Sequence, residues 1–361
     1  MIYIFTFFVS IILILFCQRR KLGYWSYLIS MLPLVILASC RSVDIGADTH
    51  YFYDTFSDAI SYHSFGKFYE DHDNEEYYLI LNYLVSRFSS NFNTCLFYSY
   101  VIIYGLLAVA LYRMRREMNV AFALTIYLFY FHREGFNTFR QTGAMLVDMI
   151  AITYLMHGKY TKSSFIALLA YGFHHSSPLF FIVILLKIFI DKHTQFFSKF
   201  KIKFLYVSVI ATCLYTFATI VNYLDSEFGV MDMRYGSYLD DSRFETNIPL
   251  SLFAFTIVTL LYYYYIRVRY VRINDSMTCF AEYIFITCIL ICFTGLISTY
   301  TVRIGGYFWY SYVLLIPILS KKYLKRDCAK FLYILFTIFF WLMTVVIANL
   351  GRIYPYKSIF N

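Results

Sequence analysis

Apolar stretches long enough to cross a lipid bilayer recur along the whole chain. The longest cover Ile2 to Cys17, Phe204 to Val221, Leu250 to Ile266 and Phe331 to Leu350, and a transmembrane helix needs roughly 20 predominantly apolar residues. Of the 361 residues, 60% are hydrophobic and only 15% are charged, whereas soluble domains have about 25% charged residues. The composition therefore excludes a water-soluble protein and predicts an all-α, polytopic membrane protein.

Hydropathy predicts about 10–12 transmembrane helices in a single transmembrane domain that covers residues 1–361. Two longer polar loops remain, at about residues 41–94 and 223–248. The apolar segment near residues 163–190 is too short for two full crossings and contains Pro178, so we expect a short broken or re-entrant helix pair there. The predicted crossings are residues 2–17, 24–40, 95–112, 119–132, 139–156, the short pair 163–174 and 177–190, then 204–222, 249–266, 280–300, 305–320 and 331–350.

Basic residues divide the predicted loops into two groups. Alternating the crossings puts 21 of the 31 Lys and Arg residues on one side, which the positive-inside rule makes cytoplasmic. Eight of the 10 basic residues on the other side are Arg, whereas Lys outnumbers Arg by 12 to 9 on the cytoplasmic side. Arg presents a planar fork that suits phosphate or carboxylate, and Lys is a point charge. We therefore expect the outward-facing surface to be the working one, with the C-terminus on that side.

The segment after the second predicted crossing concentrates polar side chains. Residues 41–51 read RSVDIGADTHY, so that an arginine, two carboxylates and a glycine lie together at the edge of the bilayer. Such a loop is suited to hold a phosphate at Arg41 beside a general base such as Asp48. An ordinary solvated helix exit is the alternative. Glu76 is a second candidate base, because it opens an amphipathic stretch, Tyr77 to Phe88, that we expect at the membrane interface.

Another polar group begins a predicted helix at the outer face. Asn137, Arg140 and Gln141 are about one turn apart and can face the same cavity. An Arg in a helix that continues into the bilayer is costly unless paired, so it marks a functional site by default, with a structural ion pair as the alternative. Asp148, two turns deeper, is either the partner of Arg140 or a neutralised buried acid.

Two histidines lie at the apex of the broken helix pair, and an arginine begins the eleventh predicted helix. His174 and His175 are suited to bind phosphate oxygens or to move a proton near neutral pH, although membrane histidines also form helix–helix hydrogen bonds. Arg303 is either a substrate ligand or an interfacial anchor.

Five short patterns occur along the chain in the order Arg41-x4-Gly46-x-Asp48-x2-Tyr51, Glu75-Glu76-Tyr77, Asn137-x2-Arg140-Gln141, Phe173-His174-x-Ser176 and Arg303-x3-Tyr307-Phe308. Together they resemble the EpsG-like group of Wzy-type polysaccharide polymerases. The resemblance implies polymerisation of undecaprenyl-pyrophosphate-linked repeats for O-antigen or exopolysaccharide. It also implies a multi-pass protein of the bacterial inner membrane whose active site faces the periplasm or the cell exterior. The doubled histidine leaves open whether His174 or His175 fills the family position.

Transfer of a glycan from a lipid pyrophosphate needs cations for the leaving diphosphate and a carboxylate or histidine for the acceptor proton. The expected partners are the undecaprenyl-pyrophosphate-linked oligosaccharide, membrane lipid and, as a further candidate, a chain-length regulator protein. We expect no nucleic-acid partner, no cofactor and no metal. The predicted catalytic residues are Asp48, Glu76 and His174, and the predicted substrate or pyrophosphate ligands are Arg41, Asn137, Arg140, Gln141, His175 and Arg303.

Other classes of membrane protein remain as alternatives. A flippase or transporter would have a similar helix count, but such proteins usually show internal duplication, and the chain has no evident repeat. An O-antigen ligase or a membrane acyltransferase would share the outward Arg and His residues and should lack the pattern of residues 41–51. A non-catalytic assembly partner would not need ionisable groups at helix mouths.

Overall fold

The structure is a computed structural model that describes residues 1–228, 250–270, 275–297, 299–324 and 328–360. Every regular element in these ranges is a helix, which confirms the predicted all-α class. The chain forms two compact units. One comprises Met1–Phe181 with Tyr312–Asn361, and the other comprises Ile182–Ser311.

The helices are numbered along the chain. A π-helical turn, Tyr127–Phe131, joins the helix Val120–Ile126 to the helix His132–Asn137. Another π-helical turn, Leu342–Ile347, follows the helix Cys328–Trp341. The bounds are α1 Ile2–Arg19, α2 Tyr24–Ile29, α3 Leu32–Ser39, α4 Thr49–Ser61, α5 Phe65–Glu70, α6 Glu76–Ser86, α7 Phe92–Arg113, α8 Val120–Ile126, α9 His132–Asn137, α10 Phe139–Leu155, α11 Tyr160–Leu169, α12 Phe180–Lys192, α13 Thr194–Phe197, α14 Phe200–Phe228, α15 Leu250–Tyr270, α16 Ser276–Thr294, α17 Thr299–Ile304, α18 Gly306–Trp309, α19 Tyr312–Tyr323 and α20 Cys328–Trp341.

Seven helical segments in the described ranges are long and apolar enough to cross a membrane, as expected for a polytopic protein. Other predicted crossings are present as shorter or interrupted helices. The predicted crossing 24–40, for example, is divided into α2 and α3 by a turn at Ser30 and Met31. The seven segments are Ile2–Arg19, Phe92–Arg113, Phe200–Ile220, Leu250–Val268, Ser276–Thr294, Val302–Tyr323 and Cys328–Ile347.

The predicted break near Pro178 is present. After α11 the chain forms a short 3-10 turn, Ala170–Gly172, and a second one, Ser177–Leu179, precedes α12. The intervening turn packs close to the start of α10, because a Cβ atom on Gly143 would lie 2.5 Å from Cδ1 of Phe173. The apex of the broken pair therefore reaches the first turns of α10.

One end of the first unit gathers loops that the charge pattern assigns to the cytoplasm. The amide Nε2 of Gln18, at the end of α1, donates to the carbonyl oxygens of Arg115 and Met118 at 2.7 and 2.8 Å. Lys321 Nζ donates to the carbonyl oxygen of Arg116 at 2.5 Å. Three predicted cytoplasmic loops thus meet at this end.

The opposite end of the first unit, here called the mouth, joins the loop after α3 to the C-terminal segment. The backbone N–H of Ser42 donates to the carbonyl oxygen of Lys357 at 2.9 Å, and that of Gly46 donates to Arg352 at 3.0 Å. Both segments were predicted to face outward, and the structure places them together. The same end carries the start of α10.

The buried acid Glu282 in the second unit is paired with two cations. The carboxylate of Glu282, whose side chain is 3% exposed, accepts a hydrogen bond from Lys203 Nζ at 2.7 Å and another from Arg267. An unpaired charge at such a position would be strongly destabilising. The first residues of the predicted outer loop 223–248 belong to α14. Residues 229–248 of this loop, among them Arg234 and Arg243, lie outside the described residues.

Candidate active site

An ion pair at the mouth joins the residue before α6 to the first turn of α10. Arg140 Nη1 donates to Glu75 Oε2 at 2.6 Å and also to the side-chain oxygen of Asn74. The Glu75 side chain is 9% exposed and that of Arg140 is 27% exposed. Removing one partner from such a buried pair leaves an uncompensated charge.

Arg140 keeps donors available for a ligand. Both hydrogen bonds that Arg140 donates come from Nη1. Among the residues that the structure describes, Nη2 and Nε–H have no hydrogen-bond partner. The guanidinium carbon lies 5.6 Å from the ring centre of Tyr51 and 5.4 Å from that of Tyr78. Burial raises the pKa of Tyr78 above its ordinary value, so its phenol stays neutral. The two rings and Glu75 hold the guanidinium in place while one edge remains open.

His174 approaches the other oxygen of the same carboxylate. Its Nε2 lies 3.7 Å from Glu75 Oε1. The backbone N–H of Ser176 donates to Nδ1 at 3.3 Å, and the Ser176 hydroxyl oxygen lies 2.7 Å from the same nitrogen. Because Nδ1 accepts, the proton of the neutral ring lies on Nε2 and faces Glu75. Glu75 is thus positioned between a guanidinium and an imidazole.

A second acid–histidine pair lies beside the first. His175 Nε2 is 3.5 Å from Glu76 Oε2, and the two side chains are 44% and 37% exposed. Consecutive acids therefore face consecutive histidines. We call Glu75 with His174 the inner pair and Glu76 with His175 the outer pair.

Close packing between α6 and the turn before His174 sets this register. The rings of Tyr77 and Phe173 meet edge to face, with centroids 4.9 Å apart. A Cβ atom on Gly172 would lie 2.9 Å from Cε2 of Tyr77, so a larger residue there would push the two segments apart. The pairing of the four side chains depends on this approach.

Comparison of the sequence with models of known protein families identifies the family of this chain. A model of the EpsG family matches residues 24–358. The chain belongs to the EpsG family. This confirms the resemblance seen in the five short patterns, and membership indicates a polymerase-like role in polysaccharide synthesis. No curated protein and no solved structure matches the chain.

Arg41 of this EpsG family protein is fully buried at the mouth. Its side chain is 0% exposed. Nη1 donates to the hydroxyl of Tyr100 at 2.7 Å, and the guanidinium carbon lies 4.2 Å from the ring centre of Phe136. The backbone oxygen accepts a hydrogen bond from Asn93 at 3.0 Å. This geometry favours a role in fixing the loop after α3, and the pyrophosphate contact of Arg41 stays a prediction.

Asn137 and Arg140 face different partners. The helix is interrupted at Thr138, whose φ and ψ are −108° and 52°, so Asn137 ends α9 while Arg140 and Gln141 begin α10. The Asn137 side-chain oxygen accepts from the backbone N–H of Ala47 at 2.6 Å. Asn137 therefore contacts the loop after α3, whereas Arg140 pairs with Glu75. Gln141 is buried, and the substrate contacts of Asn137 and Gln141 stay predictions.

The remaining predicted residues of this EpsG family protein belong to both units. Asp48 is half-buried directly before α4, and Arg303 is exposed in α17 of the second unit. Asp148 is 1% exposed, and its two side-chain oxygens have no hydrogen-bond partner among the described residues. Since Arg140 pairs with Glu75, the structure supports the buried-acid interpretation of Asp148. No group of three or more described His, Cys, Asp or Glu residues could hold a metal ion.

Glu75 is the residue that the sequence-based choice of site residues missed. It belongs to the Glu75-Glu76-Tyr77 pattern, but Glu76 was chosen because it opens the amphipathic stretch. The structure places Glu75 just before α6, where its side chain turns toward α10. The sequence signal that could have identified Glu75 is the presence of two adjacent acids, Glu75 and Glu76, together with two adjacent histidines, His174 and His175.

Proposed function

We propose that this EpsG family protein is a polymerase that transfers a lipid-pyrophosphate-linked glycan onto another lipid-linked repeat unit. The reaction takes place at the periplasmic face of a bacterial inner membrane and serves O-antigen or exopolysaccharide synthesis. The observation that carries the proposal is the arrangement at the mouth, where Arg140 and His174 approach opposite oxygens of Glu75.

The donor half of the reaction assigns a role to Arg140. The bond between the anomeric carbon and the diphosphate oxygen breaks, and negative charge develops on the departing lipid diphosphate. The Nη2 and Nε–H donors of Arg140 form a fork that matches two phosphate oxygens, and such donors stabilise charge that grows in the transition state. Family membership supports the use of an activated glycan donor.

The acceptor half assigns a role to the inner pair. The acceptor hydroxyl attacks the anomeric carbon and must lose its proton to a base within hydrogen-bond reach. A diphosphate bound at Nη2 and Nε–H leaves the Nη1 contact of Glu75 in place, so the carboxylate is held beside the bound donor. Glu75 then takes the proton, and His174, whose Nε2 faces it, stabilises the carboxyl group in the position needed.

Deletion of the gene followed by gel analysis of the surface glycan tests the proposal. A polymerase predicts that the ladder of chain lengths collapses to a single repeat and that the wild-type gene restores it. Loss of all surface repeats in the deletion strain would instead indicate a flippase or a ligase. An unchanged ladder would overturn the proposal.

A further inference from the structure

The outer pair lies in a different chemical environment from the inner pair. The ring of His175 stacks on that of Tyr171, with centroids 4.8 Å apart and planes at 27°. Tyr77 follows Glu76 directly, and both tyrosine rings are exposed. We call the side chains of Glu76, Tyr77, Tyr171 and His175 the outer site.

The charges of the outer site do not suit a phosphate. Among the described residues, the ionisable side chain paired with Glu76 is His175, and no Lys or Arg forms an ion pair with Glu76. A carboxylate in this position repels an anion. The inner pair differs, because Arg140 supplies a permanent positive charge there. A diphosphate group would therefore bind at Arg140 and avoid the outer site.

The outer site does suit a neutral ligand that carries many hydroxyl groups. The carboxylate of Glu76 accepts hydrogen bonds from hydroxyls, and imidazole and phenol groups both donate and accept. The faces of aromatic rings carry partial negative charge, so the polarised C–H bonds of a sugar ring pack favourably on them. Exposed tyrosine rings beside an acid–imidazole pair provide both kinds of contact in one place.

We infer that the outer site binds the terminal sugar of the acceptor glycan, an uncharged saccharide with free hydroxyls. The inference rests on the proposed polymerase function and deepens it. Because Glu75 and Glu76 are adjacent in the chain, a sugar held at the outer site presents a hydroxyl next to the inner pair. The donor diphosphate binds at Arg140, and the two substrates meet at Glu75.

Oligosaccharide binding to the purified full-length protein in lipid nanodiscs tests the inference. The probe is the lipid-free repeat unit, released by hydrolysis from the polysaccharide of the producing strain, and binding is followed by saturation-transfer NMR and calorimetry. We expect Tyr171→Ala and Glu76→Gln each to weaken binding about tenfold, the effect of losing roughly 1.4 kcal/mol. Tyr215→Ala, at an exposed tyrosine of the second unit, is the control and should leave binding unchanged. Glu76→Gln keeps the side-chain shape and guards against misfolding of the alanine variant.

Unchanged affinity in both outer-site variants would overturn the inference, and so would an equal loss of binding in the Tyr215→Ala protein. Binding is measured without a donor and without turnover. A failure of sugar binding at the outer site can therefore be distinguished from a failure of the proposed polymerase function. Binding at the outer site without polymerisation would contradict only the polymerase. Polymerisation with an unaltered acceptor KM in the Tyr171→Ala protein would contradict only the outer site.

Discussion

Glu75 and Arg140, 65 positions apart in the chain, meet at 2.6 Å between a carboxylate oxygen and Nη1 of the guanidinium. The other oxygen of Glu75 lies 3.7 Å from Nε2 of His174. One acidic side chain therefore ties the start of α6 to α10 and to the turn after α11. A change at Glu75 should disturb the two other groups at once.

Glu75→Gln should lower kcat for chain extension by about a hundredfold or more, since removing a general base typically costs 10²–10⁴-fold. The amide neither takes the acceptor proton nor balances the charge of Arg140. Glu76→Gln, one position along, should instead raise the KM for the acceptor with a smaller change in kcat. Steady-state kinetics on the two purified proteins distinguish these effects, and a kcat loss at Glu76 equal to that at Glu75 would remove the special role of the inner pair.

Arg140→Lys should keep normal membrane levels and lose most chain extension, because Lys has no fork for two phosphate oxygens. Two charge-assisted hydrogen bonds at roughly 1.5–3 kcal/mol each correspond to more than about a hundredfold in rate. Arg303→Lys is expected to act in the same direction. The exposed Arg116, near the opposite end of the first unit, provides the matched control Arg116→Lys.

The readout for these arginine variants is the length distribution of the surface glycan in a deletion strain at matched expression. Full ladders from Arg140→Lys would mean that this side chain supplies only charge. A shortened ladder from Arg116→Lys would mean that the assay responds to membrane insertion and not to the site.

Gly46→Ala should lower the thermal unfolding temperature. Gly46 has φ of +98°, which side-chain-bearing residues rarely adopt, and an added Cβ would lie 2.7 Å from Thr49 Oγ1. We expect a loss of stability of about 1–3 kcal/mol. Gly23 has an ordinary backbone conformation and open space around it, so Gly23→Ala is the control. Equal melting temperatures for the two variants in detergent would show that the mouth tolerates the change.

Single-cysteine labelling tests the orientation that the basic residues predict. In a protein whose eight natural cysteines are replaced, an impermeant thiol reagent applied to spheroplasts should label a cysteine at Lys67 or Lys357. It should not label one at Lys322. All three positions are exposed, and the reverse pattern would place the mouth in the cytoplasm.

The helical class and the grouping of loops could be predicted because they follow from local composition. Apolar runs predict helices wherever they occur, and the basic loops that meet through Gln18 and Arg115 carry a charge signal that does not depend on tertiary detail. The break near Pro178 was predictable for a similar reason. The length of the apolar segment and the proline are both visible in the sequence.

The details of the site depend on tertiary contacts and could not be predicted in the same way. The predicted crossing 139–156 begins where α10 begins, but the close spacing of Asn137 and Arg140 does not show that the break at Thr138 gives them different partners. Arg41 looks like an exposed loop cation, yet Tyr100 and Phe136 enclose it. Two adjacent acids offer equal candidates until α10 brings Arg140 against Glu75.

Purified protein in nanodiscs, supplied with a single lipid-pyrophosphate-linked repeat, allows the released lipid diphosphate and the glycan length to be measured together. We predict one lipid diphosphate released for each new glycosidic bond, and loss of both signals in the Glu75→Gln protein. Release of lipid diphosphate without longer glycan, or full activity of Glu75→Gln, would contradict polymerisation at this site.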